Sequence, residues 1–67
     1  MVQKVIEIVG VSPESFAKAA QNAVDEASKT VHGIKWARVG ELETVIEGNK
    51  IVQYRTNMRI FFDVERK

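Results

Sequence analysis

Residues 34–62 constrain the fold most, because they contain two β-rich runs separated by the dipeptide Gly48-Asn49. Two such runs joined by two turn-forming residues are typical of a β-hairpin, and a glycine in the first position favours a type II′ turn. Centring the hairpin on this turn predicts two sets of cross-strand pairs. One face pairs Val45 with Val52, Glu43 with Tyr54, Val39 with Met58 and Ala37 with Ile60; the other pairs Trp36 with Phe61, Arg38 with Arg59, Gly40 with Asn57, Leu42 with Arg55 and Ile46 with Ile51.

Both faces of this hairpin are partly apolar. One face has an apolar residue at every second position, as a core face does: Val52, Tyr54, Met58, Ile60, Phe62 and Val64. The opposite face carries Trp36, the only tryptophan, and Phe61 among arginines. A single amphipathic helix cannot cover both faces of a sheet. We therefore expect that something outside this chain covers the second face.

The size of the chain supports the same expectation. Its 67 residues predict one domain, residues 1–67, and domains this small are marginally stable alone. The absence of cysteine excludes disulfides and thiolate metal sites, and the single histidine, His32, has no cluster of carboxylates spaced for zinc. Oligomerisation is the remaining way to stabilise so small a fold.

The order of elements predicts an α+β fold. Residues 2–9 form a β-branched run, read as strand one. Ser12 and Pro13 are suited to be the N-cap and first residue of a helix extending to about Val31, which His32-Gly33 would end. The helix has one apolar stripe of Phe16, Ala19, Ala20, Ala23, Val24, Ala27 and Val31, so it can lie close to a sheet. The prediction is β-α-β-β, a three-stranded antiparallel sheet wrapped on one helix, with a charged end at 65–67. Whether strand one pairs with strand two or three stays open.

Charge and hydropathy exclude several classes of function. Ten Lys and Arg against nine Asp and Glu give a net charge of +1, which offers no electrostatic basis for binding nucleic acid or an anionic membrane. No apolar run approaches the ~20 residues of a membrane span. The first ten residues lack the features of a secretory signal, so we expect a cytoplasmic protein. No motif supports catalysis, and we predict that the protein is not an enzyme.

Several segments in this order resemble the dodecin family. They are Ile8-Val9-Gly10, Ser12-Pro13-Glu14-Ser15-Phe16, Ala27-Ser28-Lys29-Thr30-Val31, Trp36, Tyr54-Arg55 and Asn57-Met58-Arg59-Ile60. The resemblance covers residues 2–65 and rests on the combination of length, order and tryptophan position. It implies a hollow homododecamer in which pairs of flavins (riboflavin, FMN or FAD) stack between tryptophans of two-fold-related subunits. The implied role is flavin storage and sequestration.

Carried onto this sequence, the resemblance implies that Trp36 stacks on the flavin. Arg55 stands where flavin-binding members typically carry glutamine, which both donates and accepts hydrogen bonds, whereas arginine only donates. The flavin N–H group then lacks an acceptor, a loss of about 1 kcal/mol. We assign Trp36, Arg55, Arg38 and Glu41 to the flavin site and predict no metal site and no catalytic residue.

Other interpretations of these residues remain open. Trp36 can be an ordinary interface residue. Arg38, Arg55 and Arg59 can pair with acids of neighbouring subunits, with Glu41, Asp63 and Glu65 as candidates, or they can contact an anionic group such as a flavin phosphate. Glu41, Glu43 and Glu47 alternate along strand two and could hold a cation at an oligomer axis, although solvated charges explain them as well. The alternative function is therefore a dodecin-like shell that binds no flavin and has a structural or cation-binding role.

Overall fold

The computed structural model describes residues 2–64, in the order β1 (Val2–Ser12), α1 (Phe16–Ser28), β2 (Ile34–Glu47) and β3 (Lys50–Val64). The predicted β-α-β-β order and α+β class are confirmed. All pairings are antiparallel and the strand order is β1-β3-β2, so the open question is answered: β1 lies beside β3. The charged end predicted at 65–67 lies outside the described residues.

The hairpin turn lies at the predicted dipeptide but has a different conformation. Gly48 has φ 56° and Asn49 has φ 63°. Positive φ at both central residues defines a type I′ turn, so the predicted type II′ turn is wrong. Asparagine tolerates the left-handed region because its short polar side chain can bond to nearby backbone.

The predicted register is confirmed at both ends of the hairpin and wrong in the middle. Trp36 to Val39 pair with Phe61 to Met58, and Ile46 pairs with Ile51, as expected. Between them the partners shift by one: Leu42 with Thr56, Glu43 with Arg55, Thr44 with Tyr54 and Val45 with Gln53. One bulge adds a residue to β2 after Val39 and another adds Val52 to β3, so the two shifts cancel before the turn.

The first helix turn begins later than predicted. Strand β1 continues to Ser12, which pairs with Tyr54, so Ser12 and Pro13 do not start the helix. The N-cap is Ser15, whose Oγ accepts a hydrogen bond from the Lys18 backbone N–H at 2.9 Å. Ser12 Oγ instead accepts from the Glu14 N–H at 3.0 Å and stabilises the bend before the helix. Pairing with a central strand thus extended β1 past the local helix-start signal.

The helix also ends earlier, at Ser28 with Lys29 as its C-cap, and not at His32-Gly33. Gly33 does adopt a positive φ of 78°, but in the loop before β2. Its carbonyl accepts a hydrogen bond from the Asp63 N–H at 3.2 Å, which ties this loop to β3. His32 is therefore separated from the helix terminus by several residues.

The core lies between one stripe of α1 and the inner sheet face. It consists of Ala19, Ala23, Ala27, Met58 and Ile60, with Ile6 and Ile8 of β1 packed against them. The predicted close approach is confirmed at Gly10, because a Cβ atom built there would lie 1.9 Å from the carbonyl oxygen of Ala19. The helix thus contacts the backbone of β1 directly.

The hairpin extends well beyond the helix. The molecule measures 54 × 19 × 13 Å, whereas a helix of 13 residues spans about 20 Å. Val52, which we expected on the core face, is 40% exposed because it lies in the bulge near the turn. No helix within residues 2–64 is long and apolar enough to cross a lipid bilayer.

Candidate functional site

The outer face of the sheet carries an aromatic pair that bridges two strands. Trp36 of β2 and Phe61 of β3 are cross-strand partners, and their rings stack with centroids 4.0 Å apart and planes within 4°. Phe61 thus covers one face of the indole, while Trp36 as a whole remains 45% exposed. The indole is held by its neighbour and presents its other face outward, as a platform for a planar ring would require.

Arg38 lies beside this aromatic pair. Its Cζ atom is 5.7 Å from the Trp36 centroid and 5.9 Å from the Phe61 centroid. Because the rings are parallel and 4.0 Å apart, an atom nearly equidistant from both lies at their edge and not above the outward indole face. The cation–π attraction is small in this geometry, since the favourable charge is at the ring face. The outward face of Trp36 stays accessible.

The next row of the sheet is charged. Glu7 of β1 pairs with Arg59 of β3, which pairs with Arg38 of β2. Arg59 Nε donates to Glu7 Oε2 at 3.3 Å, and both side chains are more than half exposed. The glutamate offsets part of the repulsion that two arginines facing each other would otherwise cause.

The β2 bulge adds a third set of groups to this surface. Gly40 and Glu41 together oppose the single residue Asn57. A β-bulge redirects the side chains of its strand. Together with the charged row, these residues line a shallow groove of about 330 Å³, which we call the polar groove: Glu7, Arg38, Gly40, Glu41, Asn57 and Arg59.

Arg55 lies far from Trp36 within one chain. It is exposed and pairs with Val11 of β1 and Glu43 of β2. Phe61, the partner of Trp36, is six residues further along β3, a separation of about 20 Å at the usual rise of a strand. A site containing both Trp36 and Arg55 therefore needs more than one chain.

Arg38 thus lies beside Trp36 and lines the polar groove together with Glu41, whereas Arg55 is far from Trp36 within one chain. Sequence analysis placed Phe61 opposite Trp36 but assigned it no role at the site. It also missed Glu7 and Asn57. Glu7 was not identifiable from the sequence, because the strand that neighbours β1 was undetermined. Asn57 could have been identified, because the predicted register placed it opposite Gly40 on the same face as Trp36.

The acidic residues of β2 do not form a metal site within one chain. Among residues 2–64, no three Asp, Glu or His side chains come close enough together to hold a metal ion. His32 lies elsewhere, in a second groove of about 360 Å³ shared with Lys4 and Asp63.

Comparison with known proteins identifies the family. The Dodecin family model matches residues 2–65. The chain is 38% identical over 61 residues to the calcium dodecin of Mycobacterium tuberculosis, covering 91% of this chain and 86% of that protein. It is 31% identical over 64 residues to the dodecin of Thermus thermophilus, covering 96% and 93%.

Solved structures agree with this result. The crystal structure of the tt0972 protein from Thermus thermophilus superposes with a TM-score of 0.94 at 30% identity, covering 98% of this chain and 97% of that one. The structure of the calcium dodecin from Mycobacterium tuberculosis, described as having a novel calcium-binding site, gives a TM-score of 0.85 at 35% identity, covering 97% and 93%. On sequence and on structure, the chain belongs to the dodecin family.

Proposed function

We propose that this chain assembles into a homododecamer and binds flavin on the outward face of Trp36, as a cytoplasmic flavin store and not as an enzyme. One observation carries the proposal: the single tryptophan is stacked on Phe61 on one side and is 45% exposed on the outer face of the sheet. An indole fixed in this way offers a planar ligand an ordered surface, and a stacked pair adds ~0.5–1.5 kcal/mol beyond area burial.

The exposed apolar residues support the assembly. In one chain the outer face and the far end of the hairpin expose many large apolar side chains: Val2, Val5, Val9, Val11, Trp36, Val39, Leu42, Ile46, Ile51 and Val52. Soluble monomers rarely expose large contiguous apolar patches, whereas interfaces between subunits bury them. Copies of the same chain are the partner that the family membership favours.

The first experiment is a titration of riboflavin, FMN and FAD fluorescence with the purified protein, with mass measured by light scattering. We expect strong quenching, approaching one flavin per chain, in a species of dodecameric mass. Trp36→Ala should abolish quenching and leave the mass unchanged. Lys50→Ala serves as a control truncation of an exposed side chain on the same hairpin and should retain both the quenching and the mass. Loss of the dodecamer in Trp36→Ala would instead make Trp36 an interface residue.

Arg55 provides a second test of the flavin site. If the site combines Trp36 of one subunit with Arg55 of another, Arg55→Gln restores an acceptor for the flavin N–H group. We expect about fivefold tighter binding, which corresponds to one hydrogen bond of about 1 kcal/mol. Lys50→Gln, at an exposed cation on the same strand and outside the polar groove, serves as the comparison. An unchanged or weaker affinity in Arg55→Gln would mean that arginine is a competent partner.

A second candidate function is a flavin-free shell that binds a cation. The observation favouring it is the 38% identity to a protein named calcium dodecin, together with arginine at position 55. Its ligands would be the glutamates of β2 from several subunits, since carboxylate oxygens are the ligands calcium prefers. Calorimetric titration with Ca²⁺, compared between the wild type and Glu41→Gln, tests it. Calcium binding without flavin quenching would select this candidate.

A further inference from the structure

We infer that the polar groove beside Trp36 takes the tail of the stacked flavin and selects an uncharged polyhydroxyl tail over a phosphorylated one. This rests on the proposed stacking on Trp36 and specifies which flavin the site prefers. Sequence analysis left riboflavin, FMN and FAD open. The charges that line the groove distinguish them.

The groove is continuous with the aromatic platform. Arg38 belongs to both, because its guanidinium lies at the edge of the Trp36–Phe61 pair and also lines the groove. The charged row is two residues from the aromatic row along each strand, or about 7 Å. A chain attached to a ring on Trp36 therefore reaches the groove within a few bonds.

The lining of the groove is balanced in charge. Glu7 and Glu41 contribute two carboxylates, and Arg38 and Arg59 contribute two guanidinium groups. Arg59 is already hydrogen-bonded to Glu7. A phosphate entering this surface would lose hydration and meet two carboxylates, with no net positive charge to compensate.

A hydroxyl-rich tail matches the same lining. Each hydroxyl donates one hydrogen bond and accepts others, so it can bond to a carboxylate on one side and a guanidinium on the other. Asn57 adds an amide that does both. Gly40 leaves room beside it, since a Cβ atom there would lie 3.4 Å from the Asn57 carbonyl oxygen and 3.5 Å from its Oδ1. Donors and acceptors thus lie side by side along the groove.

The test compares three ligands on the assembled protein by fluorescence quenching: lumiflavin, which has the ring without the tail, riboflavin, and FMN. We expect riboflavin to bind about fivefold more tightly than FMN, the size of one exposed charge–charge interaction. Riboflavin should also bind more tightly than lumiflavin. The difference between riboflavin and FMN should shrink when ionic strength rises from about 0.01 to about 1 M, because the screening length falls from ~30 to ~3 Å.

One variant tests the contribution of the Glu41 carboxylate to this selectivity. Glu41→Gln keeps the shape of the side chain and removes its charge, so the difference between riboflavin and FMN should fall from about fivefold to about twofold or less. Glu47→Gln is the matched control, because Glu47 lies on the same strand beside the turn and outside the groove. That control should leave the ratio of the two affinities unchanged.

The outcomes separate the inference from the function on which it rests. Equal binding of lumiflavin, riboflavin and FMN would overturn the tail site while flavin stacking stands. Tighter binding of FMN would overturn it in favour of a phosphate site at the two arginines. If none of the three ligands quenches, flavin binding and the tail site fail together. Selectivity for riboflavin that Glu41→Gln reduces and Glu47→Gln preserves supports the inference.

Discussion

The two ends of strand β3 differ in how far a single chain completes them. Near its C-terminal end, Met58 and Ile60 are 3% and 0% exposed beneath the alanine stripe of α1. Near the turn, Ile51 and Val52 are 51% and 40% exposed, although they are just as apolar. We call these the closed end and the open end. The apolar content of the strand is similar at both, and the short helix makes the difference.

This comparison shows that the chain forms a complete core under the helix and an incomplete one elsewhere. The closed end depends on small side chains, because three buried alanines let the helix approach the sheet closely. The open end and the outer face leave apolar side chains exposed in one chain, and the proposed assembly would bury them. On this view, folding of the chain and assembly of the oligomer can be perturbed separately.

The largest expected effect comes from Gly10→Val at the closed end. A side chain there would collide with the Ala19 carbonyl, because a Cβ atom placed at Gly10 would lie 1.9 Å from its oxygen. The helix would have to move off the sheet, so we expect a loss of more than ~3 kcal/mol in the free energy of unfolding, or no folded protein. Circular dichroism during thermal unfolding measures it.

Gly40→Ala is the control for this prediction. A Cβ atom at Gly40 meets only ordinary contacts, the closest at 3.4 Å, so its stability should change by less than ~0.5 kcal/mol. Equal destabilisation by the two variants would contradict the direct contact between helix and sheet at Gly10.

Truncating one isoleucine at each end sharpens the comparison. Ile60→Ala opens a cavity in the closed core and should lower the free energy of unfolding by about 2–5 kcal/mol. Ile51→Ala should instead weaken assembly, because this side chain is half exposed in one chain. Thermal unfolding at several protein concentrations distinguishes the two effects, because a loss of stability caused by weaker assembly becomes larger as the protein is diluted. A concentration-independent loss in Ile51→Ala would show that the open end is not an interface.

A smaller effect tests where the helix over the closed end begins. Ser15→Ala removes the N-cap that accepts from the Lys18 N–H and should cost about 1 kcal/mol. Ser28→Ala, at the other end of the helix, removes an exposed hydroxyl bonded to the Val24 carbonyl and should cost less than ~0.5 kcal/mol. Urea unfolding measures both losses of stability, and the slope of the unfolding free energy against urea concentration should be the same in the wild type and in both variants. If the control loses more than Ser15→Ala, the cap assignment is wrong.

The smallest effect is expected on the outer face. Glu7 and Arg59 form an ion pair with side chains 64% and 56% exposed, and such pairs contribute under ~1 kcal/mol. A double-mutant cycle of Glu7→Gln and Arg59→Gln should give a coupling that disappears at high salt. A coupling that persists at high salt would mean that the pair is buried in the assembled protein.

Much of the fold was predictable because it follows from local patterns. Alternating β-branched residues, the alanine stripe and the Gly48-Asn49 turn predicted the order of elements, the helix-covered face and the cross-strand partner of Trp36. The two ends of the hairpin register were also correct, because opposite bulges in β2 and β3 cancel each other. The predicted register in the middle of the hairpin was wrong, since bulges depend on packing between strands and leave little trace in the sequence.

Other features were decided by tertiary contacts. Ser12 has the local chemistry of an N-cap, but its place in the ladder with Tyr54 made it a strand residue and left capping to Ser15. The central position of β3 brought Glu7 beside Arg59 and completed the polar groove.

The sequence by itself therefore determined the elements, the closed core and the identity of the one exposed indole, because these depend on side-chain periodicity along single segments. The tertiary structure alone decided the neighbour of β1, the bulges and the place of Glu7 in the polar groove. These depend on which backbone hydrogen bonds form between segments distant in sequence, and many pairings of similar local quality compete for them.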